Sequence, residues 1–173
     1  MNFLPRLFRS KTPVALAVLA GCTLLAAAAP IQAAPTVIPV SPAGLQKAVA
    51  AHRGHTVLVN FWATWCDPCV AELPTLGQLQ KTEAARGLVV LLVSADDPGS
   101  LPQVKKILAT KGQSASYLLT GDMSTFFTAF VPSDKGTIAL PRSYVYNRRG
   151  QLVATVPNDH TLAQYQQLLK PYL

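Results

Sequence analysis

Thr56-Val57-Leu58-Val59-Asn60-Phe61-Trp62-Ala63-Thr64-Trp65-Cys66-Asp67-Pro68-Cys69 is the stretch that decides how this chain folds. Thr56 to Trp62 is a β-branched and aromatic run with few polar members, the pattern of a central strand buried on both faces. From the cysteines to Arg86 the composition is helical, interrupted by Pro74 and ended by Gly87. Cys66 and Cys69 therefore sit at a strand-to-helix junction. A thiol at a helix start meets unpaired backbone N–H groups and the positive end of the helix dipole, and both stabilise its thiolate. Cys66 is the expected nucleophile, and Cys69, three residues on and on the same helix face, is the expected resolving thiol.

The flanking sequence alternates strand and helix patterns. Upstream, Thr36 to Val40 reads as a short strand, and Ser41-Pro42 is an N-cap with proline at the first helical position, opening a helix to about Arg53. Downstream, Leu88 to Ser94 is an apolar strand, Asp96-Asp97-Pro98-Gly99 a turn, and Ser100 with Pro102 starts a helix to about Lys111. Ser116 to Leu119 and Met123 to Phe130 read as a strand and a short helix, with Phe126, Phe127 and Phe130 expected in the core. Ser143 to Tyr146 and Gln151 to Val156 flank the polar turn at 147–150 as an antiparallel hairpin. Thr161 to Leu169 places Leu162, Tyr165, Leu168 and Leu169 on one helix face, suited to covering a sheet. The order implies an α/β fold with a central mixed sheet flanked by helices and a C-terminal β-hairpin and helix.

The N-terminus has a different character. Basic residues up to Lys11 precede an apolar run at 14–29, and Ile31-Gln32-Ala33 offers a small-residue cleavage site, the layout of a secretory leader. Leu19-Ala20-Gly21-Cys22 also matches the bacterial lipobox, and as an uncleaved anchor the run is slightly short of a full span. Residues 1–33 are thus a signal peptide or membrane anchor, with release, lipidation at Cys22 and tethering all open. Residues 34–173 are the folded domain, in a compartment such as the periplasm. With Cys22 removed or lipidated, Cys66 and Cys69 have only each other where disulfides persist.

After the leader the chain carries 12 basic and 8 acidic side chains, a net +4. The doublets Lys105-Lys106 and Arg148-Arg149 read as solvated surface charge rather than a nucleic-acid or acidic-membrane patch, and no nucleic-acid partner is expected.

The run Phe61 to Cys69, with Glu72 and Pro74 following, resembles the TlpA/ResA-like membrane-tethered thioredoxins, and the similarity extends from about Thr56 to the C-terminus. The resemblance implies a thioredoxin-like fold, a Cys66/Cys69 dithiol–disulfide cycle on protein substrates, and re-reduction by a membrane thiol-electron donor. It also implies a cis proline at Leu140-Pro141 that binds the substrate chain with the backbone before it. Trp62 and Trp65 are expected to supply apolar surface beside the cysteines, with Pro68 shaping the first helical turn. Glu72 is assigned as proton relay for Cys69, against the alternative of an exposed glutamate that merely favours the helix dipole. Asn60 stands where ordinary thioredoxins carry a buried acid, and an amide cannot move a proton, which favours Glu72 in that role.

Three features depart from the family pattern or modify it. Asp67 beside Cys66 opposes its thiolate, which leans the pair toward reductase rather than oxidase. The stretch from Val131 to Ala139 is long, and is expected to form a loop near the cysteines that either narrows the substrate range or is a neutral insertion. Arg142 replaces a small residue and is expected to meet substrate, Asp67 or water. No cofactor and no metal are expected. His52, His55 and His160 lack zinc-site spacing, copper(I) transfer by the two thiols is the main alternative, and a permanent C-x-x-C staple would stabilise little.

Overall fold

The computed structural model describes residues 33–135 and 138–173, so the leader reading, including Cys22 and the lipobox, lies outside the described residues apart from Ala33. The strands are β1 (Thr36–Val40), β2 (Thr56–Trp62), β3 (Leu88–Ser94), β4 (Ala115–Leu119), β5 (Arg142–Tyr146) and β6 (Leu152–Pro157). They form one mixed sheet in the order β1-β4-β3-β2-β5-β6. The first four run parallel, whereas β5 is antiparallel to both β2 and β6. The helices are α1 (Pro42–Ala51), α2 (Asp67–Glu83), α3 (Leu101–Thr110), α4 (Met123–Phe130) and α5 (Leu162–Leu169). Among the described residues, no helix is long and apolar enough to cross a membrane.

The expected central strand is central because every residue of β2 is buried. Its alternating side chains feed two cores. Leu58 and Trp62 join Leu73, Leu76, Val104, Leu108 and Tyr165 on the face covered by α2, α3 and α5. Val57, Val59 and Phe61 join Leu45, Val49 and the aromatics of α4 on the other. There Phe61 lies 4.3 Å from Phe127 and 5.9 Å from Tyr144, centroid to centroid, the latter edge to face. Residues 32–173 form one compact unit that holds both cores and every strand pairing among the described residues, so this part has what it needs to fold.

Two expectations change. Pro74 does not interrupt α2, which continues to Glu83, because Leu73, Leu76 and Leu79 are all buried and their packing outweighs the lost backbone donor. Trp62 offers no surface: it is fully buried, with its indole N–H donating to Ser116 Oγ at 3.2 Å.

Arg142 pairs with Asp134, and not with the expected Asp67. As the first residue of β5 it shares a sheet face with Tyr144, and its Nε donates to Asp134 Oδ2 at 2.7 Å and to Tyr144 Oη at 3.0 Å. Tyr144 Oη donates in turn to Asp134 Oδ2 at 2.7 Å. A nearly buried ion pair thus ties the 131–135 segment to the strand that follows Pro141. Asp134→Ala leaves the Arg142 guanidinium buried without that partner and should lower unfolding free energy by about 3 kcal/mol. Tyr144→Phe removes one hydrogen bond and should cost about 1 kcal/mol. Urea melts of the two variants check the order, and equal costs would mean that the charge pair contributes nothing.

Candidate active site

Cys66 is the N-cap residue of α2, with extended backbone and Pro68 in the first turn. Its N–H donates to the Ala63 carbonyl at 3.2 Å, and its own carbonyl accepts the first helical bond from Val70 N–H at 3.0 Å. Cys66 and Cys69 are joined as a disulfide with their Cα atoms 5.3 Å apart. The pair is little exposed, at 6 % for Cys66 and 1 % for Cys69, with Cys69 the deeper. Beside it Trp65 is 63 % exposed, an unusual placement for so large an apolar ring, and Asp67 and Pro68 are exposed too. The apolar platform expected of two tryptophans is therefore Trp65 alone.

The turn into Cys66 is pinned from below. Asp96, expected in a surface turn, is 2 % exposed and accepts from Thr64 N–H at 3.0 Å, Thr64 Oγ1 at 2.6 Å and Ser94 Oγ at 2.6 Å. Ala95 N–H donates to the Trp62 carbonyl at 2.8 Å, so β3 holds the backbone on both sides of Ala63. Sequence reasoning missed Asp96. The available signal was Ser94-x-Asp96 directly after an apolar strand, where the chain has not yet left the core.

Pro141 lies one residue beyond the Phe61–Arg142 pair of the antiparallel β2–β5 ladder, at the sheet end from which the chain enters Cys66. The Leu140–Pro141 peptide bond is cis, Pro141 is buried, and Leu140 is partly buried against both cores. Asn158, in left-handed backbone at φ 64°, donates its N–H to the Pro141 carbonyl at 3.1 Å.

Behind the cysteines lies a polar network around Glu72, one helical turn after Cys69 and only 4 % exposed. It is not the exposed glutamate of the alternative reading. Oε1 accepts from the His160 backbone N–H at 2.7 Å and from Tyr165 Oη at 2.9 Å. Oε2 accepts from Asn60 Nδ2 at 3.2 Å, and Asn60 Nδ2 also donates to Ser143 Oγ at 3.0 Å. Burial pushes the Glu72 carboxyl above the usual carboxylate range, and Asp159 adds to the rise, even though His160, Tyr165 and Asn60 all favour the ionised form. Burial beside Glu72 likewise pushes the Tyr165 phenol well up, so it stays a protonated donor. Asn60 Oδ1 is buried with no partner among the described residues. Sequence reasoning found Glu72 and Asn60 but missed Tyr165, Ser143 and the His160 backbone. Tyr165 had one available signal, a tyrosine on the apolar face of a helix, whose hydroxyl needs a buried partner.

His52 and His55 lie at the other end of the sheet, and the His160 ring lies 5.3 Å from that of Tyr165, tilted by 41°. Among the described residues no group of three His, Cys, Asp or Glu is placed to hold a metal ion. The arrangement offers one sulfur at a helix tip, a second deeper in the helix, and a buried carboxyl of raised proton affinity on the same face.

The comparisons agree with this geometry. Thiol-disulfide oxidoreductase ResA of Bacillus thuringiensis is 25 % identical over 118 residues, covering 68 % of this chain and 64 % of that protein. ResA of Bacillus subtilis is 26 % identical over 122 residues, covering 69 % and 64 %. The match thus spans somewhat less than two thirds of these relatives' length. A crystal structure of a thioredoxin-family thiol:disulfide interchange protein from Chlorobium tepidum superposes with TM-score 0.62 at 28 % identity, covering 82 % of this chain and 98 % of that one. StoA of Bacillus subtilis, at 19 % identity and TM-score 0.53 over 66 % of this chain and 82 % of that one, shares the fold. Residues 31–155 match the family model described as the AhpC/TSA family, and the chain belongs to that family.

Proposed function

We propose that this protein is an extracytoplasmic thiol–disulfide oxidoreductase that reduces disulfides in other proteins. The observation that carries the reading is the Cys66–Cys69 disulfide at the N-cap of α2, with the buried Glu72 carboxyl one turn further along the same helix. In the dithiol form the Cys66 thiolate, favoured by the helix start, attacks one sulfur of a substrate disulfide. That S–S bond breaks, a mixed disulfide forms at Cys66, and the first substrate sulfur leaves as a thiolate. Cys69 then gives its proton to Glu72 and attacks Cys66 Sγ. The mixed disulfide breaks, the second substrate thiolate leaves, and the two electrons gained by the substrate have come from the Cys66/Cys69 pair. A membrane thiol donor restores the dithiol, and the leader-like sequence of residues 1–33 supports a location in that donor's compartment.

Trp65 and Pro68 on one side and Leu140 and Pro141 on the other are the surface offered to the substrate chain. The burial that raises the Glu72 proton affinity suits it to accept the proton that Cys69 gives up. Asn60 supports this: a half-turn of its amide brings the unpartnered Oδ1 toward Glu72 Oε2, where a protonated carboxyl donates to it. The network can therefore satisfy either protonation state.

Cys69→Ser should trap a mixed disulfide at Cys66 with peptide and protein disulfides, whereas Cys66→Ser should trap none; adducts on Cys69 alone would reverse the two roles. The reduction potential of the pair should lie below about −200 mV, and a value near that of strong oxidases, about −120 mV, would reverse the direction of electron flow. Glu72→Gln should slow the resolving step on the order of 100-fold and move the pH profile of cysteine alkylation. Because the Glu72 carboxyl is raised in the fold, its contribution to stability is fully present below the ordinary carboxylate range and is lost as pH rises through the raised value. Glu72→Gln, neutral throughout, should gain stability relative to the native chain over that same rise in pH. Parallel stability profiles in urea melts, together with unchanged alkylation, would remove Glu72 from the mechanism.

A further inference from the structure

The net charge of the domain is modest, but the topology sorts it into two poles. The exposed carboxylates among the described residues are Asp67, Asp97, Asp122 and Asp159. Asp67 opens α2, Asp97 and Asp122 follow the carboxyl ends of β3 and β4, and Asp159 follows the end of β6. Because β5 and β6 are antiparallel, all four lie at the cysteine end. Six of the twelve basic side chains that follow the leader gather at the other end. Arg53 precedes β2, Arg86 precedes β3 and Lys111 precedes β4; Arg148 and Arg149 make the β5–β6 turn, and Lys170 follows α5.

This second pole is tied together. Arg148 donates from Nη2 to the Arg86 carbonyl at 2.9 Å and to Leu173 O at 3.2 Å, and its own carbonyl accepts from Gly54 N–H at 2.8 Å. The acidic side chain there is Glu83, which is buried and engaged by Arg86 and Gln166. Arg53, Arg86, Arg148, Arg149 and Lys170 are exposed.

The chain enters the domain at this same pole. Thr36 N–H donates to the Ser114 carbonyl at 2.9 Å at the amino end of β1, and Ala33 to Pro35 share a cavity with Lys105 and Lys106 of α3. Residues 30–35 are the only spacer between the apolar run at 14–29 and β1, a reach of about 20 Å fully extended.

Alone in the sequence the Arg148-Arg149 doublet reads as solvated charge, but the fold gathers it with Arg53, Arg86 and Lys170, and we propose that the pole opposite the cysteines is a docking face for an anionic phospholipid surface, which turns the redox end toward the aqueous side. A cation cluster that is locally net positive is attracted by acidic headgroups within a Debye length, ~8 Å at physiological salt. The seven-residue parallel strands then hold Cys66 about 25 Å from that surface, clear for a protein substrate. The inference does not depend on the redox reading, since it rests on charge and topology alone.

The test is co-sedimentation of residues 33–173 with vesicles of phosphatidylcholine alone or with added phosphatidylglycerol. Binding is expected only to the anionic vesicles and should weaken as salt rises. Arg149→Glu should lower the partition coefficient about tenfold, whereas Lys135→Glu, the same charge change outside the basic pole, should leave it within about twofold. Arg53→Glu should repeat the Arg149 result with a different side chain, and circular dichroism reports that each variant is folded. Equal binding to neutral vesicles, no binding to either, or equal loss in the Arg149 and Lys135 variants would overturn the proposal. The last outcome would make net charge, not the pole, responsible.

Discussion

Burial of β2 on both faces is the constraint from which the rest follows. A strand with Leu58 and Trp62 on one side and Val57, Val59 and Phe61 on the other is stable only where helices cover both faces. Its carboxyl end is then the exit from the core, and the helix begun there presents free N–H groups at the edge of the molecule. Cys66 occupies that point. Asn60, polar in the middle of β2, must find partners in the dry interior, and it finds Glu72 and Ser143. The strand that builds the core thereby also builds the polar network behind the cysteines.

The site is a joint between segments far apart in the chain. The connection from β6 to α5 serves both halves of it, since Asn158 N–H holds the Pro141 carbonyl and His160 N–H holds Glu72. A shift in those few residues moves the cis-proline loop and changes the solvation of the carboxyl together. On the other side Asp96 fixes the turn into Cys66 through Thr64, so the helix start is anchored from β3 and does not depend on α2 alone. The Arg142–Asp134–Tyr144 cluster commits Arg142 to the core beneath the 131–135 segment, which leaves Leu140 and Pro141 without that arginine as a neighbour at the surface.

Local rules account for what was legible. Ser41 caps α1 by accepting from Gly44 N–H, and Thr161 with Gln164 forms a capping box on α5, so both helix starts follow from a few adjacent residues. The strand runs and the hairpin were equally local. The misreadings share one cause. Pro74, Trp62 and Arg142 were each judged by the intrinsic preference of the residue, whereas burial and a distant partner set their state: leucine packing around Pro74, Ser116 for Trp62, Asp134 for Arg142.

By itself the sequence determined the order of strands and helices, the pairing of Cys66 with Cys69 and their place at a helix start, because hydrophobic period, capping and turn chemistry act over a few residues. Only the tertiary structure decided that Glu72 is buried, that Tyr165, 93 residues away, donates to it, and that scattered aspartates and arginines collect at opposite poles. Desolvation and charge placement depend on which distant segments the sheet order brings side by side, and that order is a property of the whole packed chain.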